Sequence, residues 1–219
     1  MSFELDTVDR LLSTTKSVRR RLDLTRHVDR DVIRDCIALA NYAPNASNAQ
    51  EWRWVVVDDP DMRRRAGELY RSIIEPLVTT MLKNKLSIGD EAGARISRSI
   101  LWLAEHMGEV PVLVFPCYDL AAAQERYGWV LSPDRSPTAM RSDQYASIYP
   151  SVWSFQLALR SRGLGSVLTT AHQEDQAAMA EILGIPSTWD QVALVPVAHV
   201  DGDFSPSPRR PVGETIIWR

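Results

Sequence analysis

The most restrictive feature of the sequence is the stretch 143–162, the most apolar helical segment of the 219-residue chain. Its large apolar residues recur at intervals of three and four, and two further residues widen the apolar face. These residues are Ile148, Val152, Phe155, Leu159, Trp153 and Leu157. A helix that is apolar on more than one face is buried on most sides. We therefore expect this helix to lie inside the fold.

Periodicity and helix-breaking residues divide the rest of the chain into helices and about four strands. Helices are predicted at residues 4–14, from Asp29 to Tyr42, and at 61–83, 91–107, 143–162 and 173–183. Strands are predicted at 52–57, 109–117, 166–170 and 191–200. This order indicates the α+β class or a mixed α/β sheet. We expect one domain over residues 1–219, with a variable lid at about 118–142 and a C-terminal arm at about 205–219.

The composition and charge of the chain argue against several classes of function. The 25 basic and 28 acidic residues give a net charge of −3, which argues against nucleic acid as a partner. Two cysteines and four scattered histidines favour neither a disulfide framework nor a metal site. The longest clean apolar run, 110–116, is too short to span a membrane, and the N-terminal residues lack the apolar region of a signal peptide. We expect a soluble, cytoplasmic protein with no membrane partner.

Two segments in the first quarter of the chain have the composition of ligand-binding loops. Residues 15–19 place two cations around a hydroxyl, which suits a phosphate group or an ordinary solvated turn. Residues 43–52 connect a helix to a strand through small and amide side chains. Such a loop allows a flat ligand to approach the backbone, or it is an ordinary connection.

Two later segments are also candidates. Residues 147–151 lead into the apolar helix, and residues 162–170 leave it through two glycines, which also fit a helix C-cap. The pair Arg209 and Arg210, followed by Pro211, is either an anion-binding element or a solvated patch. The sequence contains no nucleophile elbow and no P-loop. Cys36 and Cys117 fall on apolar faces and are interpreted as core residues.

Taken in order, these four segments resemble the FMN-dependent nitroreductase family, and the match runs from about residue 12 to 213. The resemblance implies an α+β fold with a mixed sheet flanked by helices. It also implies an intertwined homodimer with two FMN molecules at the interface, each contacted by both chains. Three positions depart from the family pattern: Thr15 stands where arginine is common, Glu51 where proline is common, and Trp153 where an amide is expected.

The resemblance assigns the cofactor-binding residues. Lys16 and Ser17 are expected to bind the FMN phosphate with Arg209, and Arg210 can add to their charge. Arg19 is expected at the pyrimidine edge or the ribityl chain. The flavin ring and ribityl are expected to contact residues of the loop, of the apolar helix and of the segment after it. These residues are Pro44, Asn45, Ala46, Ser47 and Asn48 of the loop, Ile148, Tyr149 and Pro150 of the helix, and Leu168, Thr169 and Thr170 after it.

The activity implied by the resemblance is that of an NAD(P)H-dependent FMN oxidoreductase. NADH or NADPH passes a hydride to flavin N5, and a nitroaromatic, quinone or similar small acceptor is then reduced by a ping-pong mechanism. No protein acid, base or metal is required, because the flavin carries the chemistry. Three alternatives stay open: dehalogenation, a reductase for one dedicated metabolite, and a flavin-binding module that stores FMN without turnover.

Overall fold

The computed structural model describes residues 3–128 and 132–219. Within these residues the helices are α1 (Leu5–Thr14), α2 (Arg30–Ala40), α3 (Pro60–Ser87), α4 (Glu91–His106), α5 (Leu120–Tyr127), α6 (Pro137–Ser161) and α7 (Gln176–Leu183). The strands are β1 (Leu22–Asp23), β2 (Trp52–Val57), β3 (Val112–Asp119), β4 (Leu164–Ser166), β5 (Trp189–Gln191) and β6 (Val195–Val200). The chain is therefore α+β, as predicted.

A six-stranded sheet lies at the centre of the fold. Its main path runs β1-β6-β3-β2, with β4 paired to β6 and β5 paired to β3. All the described strand pairings are antiparallel. The parallel component expected of a mixed sheet is confined to one bridge between Ser17 and Ser166. That bridge joins the basic segment after α1 to β4.

Apolar residues cover both faces of the sheet because successive side chains of a strand point to opposite faces. In β3, Val112 and Val114 pack into a core that includes α2 and α6. The intervening Leu113 and Phe115 pack into a second core formed with α3, α4 and α7. All eight residues of β3 are buried, which explains why its sequence reads as one apolar run.

Local signals located several helices correctly. The Asp29 side chain accepts a hydrogen bond of 2.8 Å from the backbone N–H of Asp31 at the start of α2. Asp59 does the same for Met62 at the start of α3, where Pro60 occupies the first turn. The predictions for α1, α2, α3, α4 and β2 are confirmed, with α3 extending four residues further than expected.

The segment 118–142 is helical in most of its described part, although its sequence shows no steady period, and its role as a variable lid stays a prediction. Residues 120–127 form α5, and α6 begins at Pro137, six residues before the apolar periodicity. Gly128 is not a break within a loop but the left-handed C-cap of α5, with φ of 67°. Residues 129–131 of the predicted lid lie outside the described residues.

The two later strand predictions also need correction. The predicted strand at 166–170 ends at Ser166, and only Thr169 beyond it forms a bridge, to Leu194. The predicted strand at 191–200 is two strands, β5 and β6. Cys117 pairs with Gln191, and Val114 pairs with Val195. Three residue steps along β3 therefore lie opposite four residue steps between β5 and β6. This extra residue is a β-bulge, and it turns the backbone of Leu194 toward Thr169.

Between residues 147 and 160 the apolar helix is buried or half-buried at every position except Trp153, as predicted for a helix inside the fold. Val152, Phe155 and Leu159 are fully buried, whereas Trp153 is 44% exposed. The arm is exposed as well, with Ile217 at 79% and Trp218 at 89%. No helix of the described residues is both long and apolar enough to cross a membrane.

Candidate functional site

The basic segment after α1 is held against β4 by backbone contacts. The N–H of Val18 donates to the carbonyl of Ser166 over 2.9 Å. A Cβ at Gly165 would lie 2.3 Å from Val200 Cγ2 and 3.2 Å from Val18 Cβ. Only glycine therefore permits this close approach. The packing presents Lys16, Ser17 and Arg19 beside the start of the loop that follows β4.

Lys16 reaches the base of the arm. Its Nζ donates to Ser205 Oγ over 3.0 Å, and among the described residues no carboxylate lies within ion-pair distance of it. Arg209 and Arg210 are exposed further along the arm, and Arg209 donates to the carbonyl of Pro208 over 3.0 Å. The structure thus joins Lys16 to the arm through Ser205.

Tyr70 links the basic segment to α3, because it interacts with Arg19 as well as with Thr169. The hydroxyls of Tyr70 and Thr169 lie 3.1 Å apart, and Arg19 lies close enough to Tyr70 for their charges to interact. Burial lowers the pKa of Arg19, and the influence of Tyr70 opposes that shift. Burial raises the pKa of Tyr70, while the Thr169 hydrogen bond and the Arg19 charge act in the opposite direction. Tyr70 is therefore a neutral hydroxyl beside a half-buried cation.

Tyr70 is a site residue that sequence reasoning missed. It lies in the middle of a long helix and has no motif around it, and its proximity to Thr169 spans 99 residues of sequence. Its partner Thr169 was predicted, together with the exposed Thr170 and the half-buried Leu168. The bulge before β6 holds Thr169 in place, because Thr169 and Leu194 exchange backbone hydrogen bonds of 3.0 and 2.8 Å.

The loop at 44–50 has a strained backbone. Ser47, Asn48 and Gln50 all have positive φ values, of 52°, 53° and 59°. Non-glycine residues in this region are uncommon, and they cluster at functional sites when the surrounding structure holds them. Here Asn45 Oδ1 accepts a 3.0 Å hydrogen bond from the N–H of Gln50, which closes the loop on itself.

Ser147 of α6 fixes this loop to the body of the protein. Its Oγ accepts from the N–H of Ala46 over 3.3 Å, and its carbonyl accepts from Trp52 Nε1 over 2.8 Å. Pro44, Asn45 and Ala46 then line an open cavity of about 280 Å³ together with Pro150. The structure thus brings most of the predicted loop to the predicted start of the apolar helix.

Two of the predicted helix residues face inward. Ile148 is fully buried in the core, so its side chain is not accessible from that cavity. The hydroxyl of Tyr149 donates to the carbonyl of Val192 over 2.9 Å and so ties α6 to the bulged segment. Of this trio, Pro150 is the residue that lines the cavity.

Ion pairs attach α5 to the strand that follows the loop. Glu51 is only 3% exposed in its side chain, and its Oε1 lies 2.7 Å from Arg126 Nε. Asp119, which caps α5, pairs with Arg53 over 2.9 Å. The position where proline is expected is therefore occupied by a buried carboxylate that pairs with α5. The α5 helix closes a second cavity, of about 120 Å³, lined in part by Ser47, Tyr118 and Ser147.

The two groups of predicted residues lie at different points along α6. Ser147 holds the loop, whereas Gln156 donates to Ser166 Oγ, beside Ser17, over 3.1 Å. Arg160, one turn further, donates to Thr14 over 2.9 Å. At 1.5 Å per residue, these positions are about 14 to 20 Å apart along the helix. Within one chain, the loop and the basic segment therefore lie at separate positions along α6, and we refer to them as the two candidate half-sites.

The cysteines are not placed for nucleophilic chemistry. Both are fully buried, and burial raises the pKa of Cys36 to about 11 and that of Cys117 to about 12. Neither thiol therefore ionises readily near neutral pH. Among residues 3–128 and 132–219, no group of His, Cys, Asp and Glu side chains is arranged to hold a metal ion.

Comparison with known proteins gives the family. The model of the Nitroreductase family matches residues 12–199, which is most of the chain and includes the basic segment, the loop and α6. The chain belongs to the nitroreductase family. It is 26% identical over 184 residues to an iodotyrosine deiodinase of Thermotoga neapolitana, a match that covers 83% of this chain and 81% of that protein.

Solved structures show the same nitroreductase fold. A nitroreductase family protein from Streptococcus pneumoniae superposes with a TM-score of 0.70 at 20% identity, covering 97% of this chain and 100% of the other. An oxidised iodotyrosine deiodinase bound to FMN and 3-iodo-L-tyrosine superposes with a TM-score of 0.68 at 20% identity, covering 95% and 97%.

Proposed function

We propose that this nitroreductase family protein is an FMN-dependent oxidoreductase that takes a hydride from NADH or NADPH and reduces a nitroaromatic, quinone or similar small acceptor. The observation that carries the proposal is the position of Lys16 and Arg19. Both cations lack a carboxylate within ion-pair distance among the described residues, and Arg19 is half-buried near Tyr70. A partly buried cation favours a site that binds an anion or a polar ligand edge.

These residues fit FMN. Lys16 and Ser17 would hold the phosphate, and Arg209 would join them when the arm closes. Arg19 would face the pyrimidine edge, where a positive charge favours electron gain by the ring. Thr169 and Thr170 would lie along the ring, with Thr169 oriented by Tyr70. When bound, the flavin supplies the redox chemistry at N5. The chain itself has to bind the flavin, orient it and stabilise the charge of its reduced form.

We infer that the second half-site comes from another copy of the chain. In one chain the strained loop is attached to α6 about 14 to 20 Å from the positions that contact Ser166 and the end of α1. Trp153 of α6 and the apolar residues near the end of the arm are exposed in the part of the chain that the structure describes. Exposed apolar surface of this kind marks an interface. A two-fold homodimer would cover both and would place the loop of one protomer against the basic segment of its partner.

A second candidate function is reductive dehalogenation, which the likeness to an iodotyrosine deiodinase favours. Both activities use the same flavin site and differ in the acceptor. The cavities beside the loop and the segment 71–95 would select that acceptor. A flavin-storage module would bind FMN equally well and would show no turnover.

Anaerobic kinetics on the purified, FMN-reconstituted protein tests these functions. The protein should bind about one flavin per chain and become yellow. It should oxidise NADH or NADPH with a nitroaromatic or a quinone, and double-reciprocal plots should be parallel. Turnover confined to 3-iodo-L-tyrosine with a chemical reductant would favour the deiodinase branch, and bound flavin without any turnover would favour storage. A protein that shows no FMN binding would refute all three.

Arg19→Ala, with Arg20→Ala as its matched control, ties the result to the site. Arg20 is exposed and directly follows Arg19, so its removal should leave flavin reduction unchanged. Equal losses in both variants would show that general surface charge, and not the position of Arg19, is responsible.

A further inference from the structure

Arg160 occupies an unusual position at the end of α6. Its Nη2 donates to Thr14 Oγ1 over 2.9 Å, and its guanidinium carbon lies 3.8 Å from the centre of the Phe204 ring. It therefore bridges the end of α1 and the base of the arm. The family resemblance assigned it no role.

Arg160 has no counter-charge. Among residues 3–128 and 132–219, no carboxylate lies within ion-pair distance of it, and its buried Nε has no hydrogen-bond partner. Burial lowers its pKa, and the nearby positive charge of Arg10 lowers it further. A cation that is partly desolvated next to another cation is unfavourable unless an anion binds there.

Arg160 and Lys16 contact neighbouring residues on the same two segments. Arg160 contacts Thr14 and Phe204, while Lys16 lies two residues beyond Thr14 and donates to Ser205, directly after Phe204. Both cations therefore lie between the basic segment and the base of the arm.

Two of the hydroxyls beside these cations have no proton left to donate. Thr14 Oγ1 donates to the carbonyl of Arg10, and Thr15 Oγ1 donates to the carbonyl of Leu11, each over 2.6 Å. Each hydroxyl has a single proton, so neither has one left for an anion. The N–H groups beside these hydroxyls belong to Lys16 and to Arg160, whose Nε has no hydrogen-bond partner among the described residues.

We propose that Arg160 is a further phosphate-binding residue of the cofactor site, acting with Lys16 on the FMN phosphate. The proposal rests on the proposed function, because it takes FMN as the ligand. The planar guanidinium, stacked on Phe204, is well suited to donate two hydrogen bonds to phosphate oxygens. Thr15, which carries no charge, is thereby compensated from a helix 145 residues further along the chain.

Flavin binding by the full-length apoprotein tests this role, with FMN and riboflavin compared because riboflavin lacks the phosphate. Arg160→Gln should weaken FMN binding about 10- to 100-fold, the range for a lost charge-assisted hydrogen bond, and leave riboflavin binding unchanged. Arg162→Gln is the matched control. Arg162 lies at the same helix end and donates to Ala158 and Ser161, so its loss should alter neither affinity.

The outcomes separate this proposal from the proposed function. Wild-type protein that binds neither flavin overturns the proposed function and this inference with it. Wild-type protein that binds FMN, with Arg160→Gln binding it equally well, overturns only the role of Arg160. An equal loss of FMN and riboflavin affinity in Arg160→Gln also overturns it, because Arg160 then only positions the arm.

Arg160→Lys keeps the proposal testable if Arg160→Gln does not fold. Lysine preserves the positive charge but lacks the paired N–H donors of a guanidinium. This variant should therefore bind FMN more weakly than wild type and bind riboflavin equally well. An unchanged ratio of the two affinities in a folded Arg160→Lys protein would contradict the proposal.

Discussion

Gly67 of α3 and Gly108 lie in direct backbone contact, and a Cβ at Gly67 would be 2.4 Å from the backbone nitrogen of Gly108. Real Cβ atoms do not approach backbone this closely, so any larger residue would push α3 away from the turn after α4. Because Tyr70 lies one turn further along α3, this contact also sets the position of the Tyr70 hydroxyl near Thr169.

We therefore expect Gly67→Ala to destabilise the protein by about 1–3 kcal/mol, the usual range for overpacking. Urea denaturation followed by circular dichroism measures the change. Gly213→Ala is the control, since nothing lies within 4 Å of a Cβ there, and it should fall within about 0.5 kcal/mol of wild type. Equal stabilities of the two variants would show that α3 shifts without penalty.

Tyr70 and Thr169 should behave as a coupled pair. Tyr70 is 1% exposed and its hydroxyl contacts Thr169. Tyr70→Phe and Thr169→Val should each lower the free energy of unfolding by about 1 kcal/mol, and the double variant should lose less than their sum. A double-mutant cycle by urea denaturation measures the coupling. Strict additivity would mean that the hydroxyls do not share a hydrogen bond.

Lys16 and Arg19 are expected to differ in function. Lys16→Ala should weaken FMN binding more than it slows flavin reduction, because a cation at the phosphate only anchors the ligand. Arg19→Ala should do the reverse, because a charge beside the ring acts on electron gain. Flavin titration and stopped-flow reduction by NADH give the two quantities. Similar effects of both variants on both quantities would contradict this division.

His172 should make stability depend on pH. It is fully buried, with Nε2 3.2 Å from the carbonyl of Gln191. Burial lowers its pKa from 6.5 to about 4, and the Gln191 contact opposes the shift. Between pH 6.5 and about pH 4, His172 is therefore protonated in the unfolded chain and neutral in the folded chain. The contribution of neutral His172 to the free energy of unfolding is fully present above pH 6.5. It falls as the pH drops toward 4, by at most about 3 kcal/mol.

Urea denaturation between pH 8 and pH 4 measures this slope, with His172→Gln as the comparison. The difference between the wild-type and variant stabilities should shrink as the pH falls. Parallel pH profiles would show that His172 titrates normally in the folded protein.

The arm should link assembly to cofactor binding. Truncation after Pro211 removes the exposed Ile216, Ile217 and Trp218 and retains Arg209 and Arg210. If the arm crosses a partner subunit, truncation should weaken the dimer and lower FMN affinity together, because a ligand that binds only the assembled state is linked to it by mass action. Light scattering after size-exclusion chromatography, with a flavin titration, measures both. A truncated protein that remains dimeric with unchanged affinity would exclude this role.

Much of the fold follows from local sequence. The strand 52–57 and the helices α1, α2 and α4 fall within two residues of their predicted bounds, because periodicity and capping residues act over one or two turns. The segment 118–142 was misjudged because α5 and the first turns of α6 have no strong apolar face of their own. Their helices are set by Asp119, Gly128 and Pro137 at the ends.

Sequence alone predicted which local segments form the candidate site: the basic turn with Lys16 and Arg19, the small-residue loop at 44–48, and the apolar helix at 143–162. Only the tertiary structure decided that Tyr70 meets Thr169, that a bulge turns Leu194 toward Thr169, and that Arg160 reaches Thr14. The physical reason is range. Periodicity, caps and motifs are interactions between near neighbours, whereas these contacts join residues 25 to 146 positions apart, and packing of the whole chain sets them.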